Sequence, residues 1–318
     1  MASAMIDNIL RKSGQTGLLK FLTHDLSGTE LNSLLLEVFQ RRCETIQPGQ
    51  LMKNYRANRF VKPADLPVLE MKQMEIDLLK HFDQNGFAPI ELSPVSILGS
   101  CSAVALASQN KILSALRGTE VLADATNAIA LHISDLYHQH KIESEAPAGT
   151  LKFATVQRHV RTQSIKGKGL TPHFKIACLV SAGLDNGSYS FEKENLCDHI
   201  RTMRELYLSY YKVADVQFRL ICRQGYSHPL ALANAVKNHI VSEIPGTQIT
   251  IVDNPEKENG YYKGIQYKID IDYNGKTYEI GDGGFVDWTQ SLCQNNKHRM
   301  LSTGIGFDFM YRIMQDSL

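Results

Sequence analysis

Near its C-terminal end the chain reads GDGGFVDWTQSLCQNNKHRMLSTGIGFDFMYRI, with two glycine-rich stretches, 281–284 and 304–306, on either side of a polar run. Glycine at this density inside strand-like sequence gives up chain entropy and packing surface. It therefore marks backbone pressed close against something else, a small ligand among the possibilities. The second stretch runs into a helix-like segment, but GIGFDF lacks the third glycine of a dinucleotide fingerprint. Cys43, Cys101, Cys178, Cys197, Cys222 and Cys293 show no CxxC or metal-ligand spacing, so no metal site is predicted and reduced thiols, mostly in the core, are expected.

The elements that must position such glycines follow from composition and periodicity. With 318 residues, 43% of them apolar and 21% charged, the chain can bury a core of its own. Its formal charge of +1 gives no global field for nucleic acid. The longest charge-free apolar stretch, SILGSCSAVALAS, is too short to cross a bilayer, and the N-terminus lacks a signal-peptide pattern. A cytoplasmic protein without membrane association is expected.

The first 65 residues read as a helical extension, with Thr29 as a cap candidate for GTELNSLLLEVFQRRCE. A helix over 68–83 carries Met71, Met74, Leu78, Leu79 and Phe82 on one stripe and ends at Asn85-Gly86; a strand over 87–94 closes at Pro94. A helix follows over 127–139. LKFATVQRHVRT and HFKIACLVSAG read as two strands joined by QSIKGKGLTP. Helices are predicted over 189–211 and 228–243. Then Ile265, Tyr267, Ile269, Ile271 and Tyr273 alternate with polar residues before Asn274-Gly275, a tight turn, and a return strand. Early helices and a later meander predict an α+β fold with a mostly antiparallel sheet flanked by helices, divided as 1–65 and 66–318.

Four ordered segments between residues 68 and 312 resemble the catalytic core of class II aminoacyl-tRNA synthetases, nearest the histidyl branch and its paralogue, the regulatory subunit of ATP phosphoribosyltransferase. The 68–83 helix with the 87–94 strand is similar to motif 1, which implies a homodimer. VLADATNAIALHI resembles the LRPEGT segment; the likeness puts Asp124 and Thr126 in the amino-acid pocket, where a carboxylate and a hydroxyl would receive an ammonium. The same two residues could instead cap the helix that follows.

HVRTQSIKGKGLTPHFKI resembles motif 2. Arg161 matches the arginine that grips the α-phosphate and substrate carboxylate, Gln163 replaces the usual glutamate, Phe174 matches the ring that stacks on adenine, and His173 stands where an acidic residue contacts the base. Lys166 and Lys168 either reach the outer phosphates or form a solvated basic loop. PEKENGYYKGIQYKI resembles the histidine-specific RGLDYYTG, with Tyr261, Tyr262 and Gly264 matching, Lys257 in place of an arginine and Gly260 in place of an aspartate. GGFVD resembles GGRYD, keeping Gly283, Gly284 and Asp287. STGIGFDFMYRI is similar to motif 3: Gly304 and Gly306 would line the ATP site and Asp308 falls at its acidic position.

The likeness implies binding of ATP, with Mg2+ if the protein is active, and of an amino acid or related carboxylate. Adenylation needs oriented positive charge at the phosphates. Phe309 stands where motif 3 has its arginine, and loss of one such cation costs about 3 kcal/mol of barrier. Arg312, one turn further along, is the candidate replacement. Ile176 and Val180 stand where the histidyl branch holds its substrate with glutamine and glutamate, which argues against histidine as the ligand. No anticodon-binding segment follows residue 312, so direct tRNA binding is not expected. The reading is a repurposed binding or regulatory protein, with a protein partner possible; the alternative is an active ATP-dependent ligase acting through Arg161, Lys257 and Arg312.

Overall fold

A computed structural model of the chain describes residues 2–140, 149–163, 171–253 and 260–315. Its centre is an eight-stranded sheet in the order β1-β4-β5-β10-β9-β8-β6-β7. The strands are β1 (Ala88–Pro89), β4 (Leu151–Val160), β5 (His173–Leu184), β6 (Asp215–Cys222), β7 (Gln248–Val252), β8 (Lys263–Tyr273), β9 (Lys276–Val286) and β10 (His298–Gly306). A small separate ladder joins β2 (Val95–Ile97) to β3 (Thr119–Val121). The architecture is α+β, as the sequence predicts, but the sheet is mixed. Antiparallel pairing runs through the middle, while β1 pairs parallel to β4 and β6 pairs parallel to β7. The second parallel pair arises because the Pro229–Glu243 helix crosses over between β6 and β7, a connection that parallel strands require.

Side chains alternate across the sheet, so each strand feeds two cores. Ala177 and Leu179 of β5 join Met71, Leu78, Phe82, Leu196, Ile200 and Tyr267 under the Val68–Gln84, Ser190–Glu205 and Pro229–Glu243 helices. Val180 and Ala182 face the other way, onto Ile129, Ile133, Met300 and Trp288 beneath the Ala125–His138 and Trp288–Cys293 helices. The Val68–Gln84 helix buries the predicted Met71, Met74, Leu78 and Phe82, while Leu79 is half-buried. It is also tied to the sheet by charge: the Lys175 ammonium bonds the Glu75 carboxylate, both side chains being nearly buried. The predicted β8–β9 hairpin forms around Asn274 and Gly275, with φ of 50° and 73°, the left-handed pair that a two-residue turn matched to strand twist requires.

Two local expectations change. The strand predicted over 87–94 shrinks to two ladder residues, because Pro89 and Pro94 have no N–H to donate; one further bond, Ile90 N–H to the Ala154 carbonyl at 2.8 Å, extends it. Ser27, not Thr29, caps the Gly28–Glu44 helix: its hydroxyl accepts from Glu30 N–H, and the Glu30 carboxylate accepts from Ser27 N–H at 2.8 Å. The chain before the Val68–Gln84 helix is helical over Ala2–Ser13, Gly28–Glu44 and Pro48–Ala57, yet no residue from 4 to 70 is buried. All six cysteines are free thiols, and four of them are buried.

Candidate functional site

A cavity lined by seven of the sixteen predicted site residues lies on the helix-Ala125–His138 side of the sheet, where β4, β5, β10 and β9 run side by side. It has a volume of about 160 Å³ and is lined by Asp124, Thr126, His159, Arg161, Tyr261 and Tyr262 above a floor that includes Ile176, Cys178, Ser302 and Gly304. The floor follows from period-two alternation: Ile176 and Cys178 share one face of β5, Ser302 and Gly304 one face of β10, and Gly304 pairs with Cys178.

Arg161 stands just past the end of β4, where its N–H continues the ladder to the Pro172 carbonyl at 2.9 Å. Its Nε donates to the Ala123 carbonyl at 3.0 Å, which fixes the guanidinium plane, and its guanidinium carbon lies 5.5 Å from the centroid of the Phe174 ring. That separation is a cation–π contact. The predicted pairing of this guanidinium with this ring is therefore present, on neighbouring strands.

Asp124 does two things at once. Its Oδ1 accepts from Thr126 N–H at 2.9 Å and from the Thr126 hydroxyl at 2.7 Å, capping the Ala125–His138 helix, while Oδ2 accepts from the Tyr261 hydroxyl at 2.7 Å. The cap reading and the pocket reading are thus the same geometry. Burial, with the Asp124 charge beside it, pushes the Tyr261 hydroxyl far above its ordinary range, so it stays protonated and donates. Gln163 lines a second cavity of about 160 Å³, which shares Asp124, Arg161 and Tyr261 with the first.

His159 escaped the sequence reading. It is 1% exposed, and its Nε2 accepts from Ala125 N–H at 2.9 Å. Burial, opposed by Asp124 and aided by Arg161, lowers its pKa from 6.5 to about 4, so the ring is neutral near pH 7. It sits two residues before Arg161 on an alternating strand, and that spacing alone would have put both on one face. Arg223, 8% exposed at the end of β6, was also missed. It donates to Gln266 Oε1 at 2.7 Å, and Gln266 donates in turn to Asp282, a cavity residue, at 3.0 Å.

Other predicted residues lie elsewhere. His173 alternates to the opposite face, where it contacts the Lys62 carbonyl at 2.6 Å and Arg158 at 3.0 Å. Asp308 is buried and accepts from Lys175 N–H at 3.1 Å; burial raises its pKa. Arg312 donates to the Asp65 carbonyl at 3.3 Å. Asp287 lies 3.4 Å from Lys263 and is outside the cavity lining, as is Val180, which is core. Lys257, Lys166 and Lys168 lie outside the described residues.

The glycines divide by what their missing side chains make room for. A Cβ on Gly283 would lie 2.5 Å from Tyr267 Cε1, and one on Gly284 2.6 Å from Tyr262 Cδ1. Tyrosine rings, not a ligand, occupy those places. A Cβ on Gly306 would lie 2.9 Å from the Cβ of Phe309, so the phenylalanine in the place of the motif 3 arginine is seated on that glycine. Only ordinary contact, Ile176 at 3.5 Å, would meet a Cβ on Gly304.

No family profile and no curated protein sequence matches the chain. Solved structures do. A histidyl-tRNA synthetase from S. aureus is similar over 81% of this chain and 69% of its own, with a TM-score of 0.58 at 13% identity. An ATP phosphoribosyltransferase regulatory subunit/histidyl-tRNA synthetase from Bacillus halodurans covers 81% and 82%, with a TM-score of 0.58 at 12% identity. A putative threonyl-tRNA synthetase from Aeropyrum pernix covers 78% of this chain and 60% of its own, with a TM-score of 0.57 at 14% identity. The sheet, its flanking helices and these likenesses together give the chain the class II aminoacyl-tRNA synthetase-like fold.

Proposed function

We propose that this chain binds an adenine nucleotide together with a small amino-acid-like carboxylate, in a role other than charging tRNA. The observation that carries the reading is the Arg161–Phe174 pair: an oriented guanidinium 5.5 Å from a half-buried ring, beside a cavity whose floor Gly304 leaves open. A base stacking on the ring and an anion against the guanidinium match those two groups. The role in binding rather than turnover rests on what surrounds them. Phe309 occupies the place over Gly306, and Arg312 is turned to the Asp65 carbonyl. Among the described residues no group of three or more His, Cys, Asp or Glu could hold a metal ion. Asp282 is engaged by Gln266 and by Lys268, so magnesium would have to arrive on the nucleotide's phosphates.

The exposed Val68 (68%) and Leu69 (86%), at the start of the motif 1-like helix, fit a homodimer formed there. No helix among the described residues is long and apolar enough to cross a membrane, and the free thiols fit a cytoplasmic protein. Thermal-shift titration with ATP, alone and with each amino acid, tests the reading. Stabilisation by ATP that disappears in Arg161→Ala supports it; a melting temperature unmoved by any nucleotide refutes it. One observation favours the alternative of an active ligase: Arg223 supplies a second, buried guanidinium behind the cavity wall. Pyrophosphate exchange with any amino acid would establish that alternative instead.

A further inference from the structure

We propose that a further cavity, between the β4–β5 pair and the start of the Val68–Gln84 helix, binds a small organic monocarboxylate with an apolar body. Strand alternation gives the β4–β5 pair two side-chain faces. One carries His159 and Arg161. The other, by the register that pairs Arg158 with Lys175 and Val160 with His173, carries Arg158, His173 and Lys175. On that second face lies a cavity of about 480 Å³, against about 160 Å³ for each of the two at Arg161, and it shares no lining residue with either. Its size falls within the roughly 300–1,000 Å³ usual for small-molecule sites. Pro63, Ala64 and Leu66, from the segment leading into the helix, line it together with Val68 and Met71 of the helix itself. Walls of this kind bury an apolar body, and a few convergent polar groups then fix its orientation.

Charge decides the ligand's class. Three cations line the cavity, Lys72, Arg158 and Lys175, and among the described residues two carboxylates pair with them. Glu75 takes both lysines, Lys72 at 3.1 Å and Lys175 in a direct hydrogen bond, while Asp308 lies 3.9 Å from Arg158. His173 adds no charge. Its Nε2 lies 2.6 Å from the Lys62 carbonyl, which only accepts, so the ring proton sits there and Nδ1 receives Arg158 Nη1 at 3.0 Å. One positive charge is left over, and it falls on Arg158. The single ion pair of that guanidinium is a long one, and its Nε and second Nη have no partner among the described residues. A planar fork of this kind receives a carboxylate through both oxygens. One carboxylate balances the excess charge, and Pro63, Leu66 and Met71 cover the body behind it. A dianion such as phosphate would bring one charge too many towards Glu75 and Asp308 and leave the apolar wall uncovered.

The test is an NMR titration of the full chain, labelled with 13C-methyl methionine, against 2-naphthoate. The arms are 2-naphthamide, the same body without charge, and acetate and inorganic phosphate, anions without that body. 2-Naphthoate should shift the Met71 methyl resonance, identified by its loss in Met71→Leu, to saturation. The other three should bind about tenfold more weakly or worse. Arg158→Gln should weaken 2-naphthoate binding about tenfold or more. Ala64→Phe, which fills the cavity, should abolish the shift, and Arg161→Ala should leave it unchanged. Equal affinity for the acid and the amide would overturn the proposal, as would wild-type affinity in Arg158→Gln or Ala64→Phe. Loss of binding in Arg161→Ala would place the acid on the opposite face and overturn it as well. Val68 belongs both to this lining and to the proposed dimer surface, so a Met71 shift that follows protein rather than ligand concentration also decides against it. Should the variants fail to fold, the wild-type Met71 shift and the acid-to-amide ratio decide by themselves.

Discussion

The two glycine stretches look alike in sequence and each reaches the cavity, Gly281 from β9 and Gly304 and Gly306 from β10, but what fills the room beside their other atoms differs. In β9, the room left by Gly283 and Gly284 is taken by the rings of Tyr267 and Tyr262. In β10, Gly306 seats Phe309, and Gly304 opens onto the cavity with Ile176 no closer than 3.5 Å. None of these four has a left-handed backbone, so conformational need explains none of them. Glycine density by itself reports close approach. Only the identity of the approaching group separates core packing from a ligand floor.

Substitutions break this comparison in order of size. Gly283→Ala forces a methyl to 2.5 Å from Tyr267 Cε1 and from the Ser302 carbonyl, and should cost about 3 kcal/mol in chemical denaturation. A cost below about 1 kcal/mol would mean that β9 is not packed as described.

The open side has an electrostatic counterpart in His159. Its pKa is depressed, so the unfolded chain takes up a proton below pH 6.5 that the folded chain refuses until about 4. This contribution is present above pH 6.5 and is lost as pH falls towards 4. By linkage the loss at pH 5 is about 2 kcal/mol. Subtracting the stability-versus-pH curve of His159→Phe from that of the wild type measures it, and two parallel curves would deny it.

Gly306→Ala presses on the Cβ of Phe309 at 2.9 Å and should cost about 1 kcal/mol. Gly304→Ala meets nothing closer than 3.5 Å. Since alanine also loses less chain entropy than glycine, stability should change by less than about 0.5 kcal/mol, while ligand-induced stabilisation falls. If Gly304→Ala left ligand stabilisation intact, the contrast between the two stretches would carry no functional meaning.

Much of the fold was legible in sequence because helix stripes and strand alternation are local signals. The 68–84 helix, the β8–β9 hairpin and the β4–β5 pair all stand close to where periodicity predicts them. The short β1 was misjudged because ladder bonding depends on N–H groups that prolines remove. The crossover between β6 and β7 was missed because strand direction is settled by distant pairing. At the site, Arg161, Phe174, Asp124 and Tyr261 were found through motif resemblance, and all lie at or beside one cavity. His159 was missed although alternation alone places it beside Arg161, since resemblance draws attention to matched positions only. His173 was set beside the base although it adjoins Phe174, and consecutive strand residues face opposite sides.

By itself the sequence determined the helical and extended segments, the α+β class, the guanidinium and ring two strands share, and the lack of an arginine at position 309. Periodicity and residue chemistry are properties of neighbours along the chain, which is why these could be read directly. The tertiary structure decided which glycines seat a ring and which line the cavity, that Asp124 is both cap and wall, and that His159 keeps a buried Nδ1 with no partner among the described residues. Those outcomes depend on β4, β5, β9 and β10 meeting from positions as far apart as 151 and 306, and no local pattern specifies what a side chain meets across such a distance.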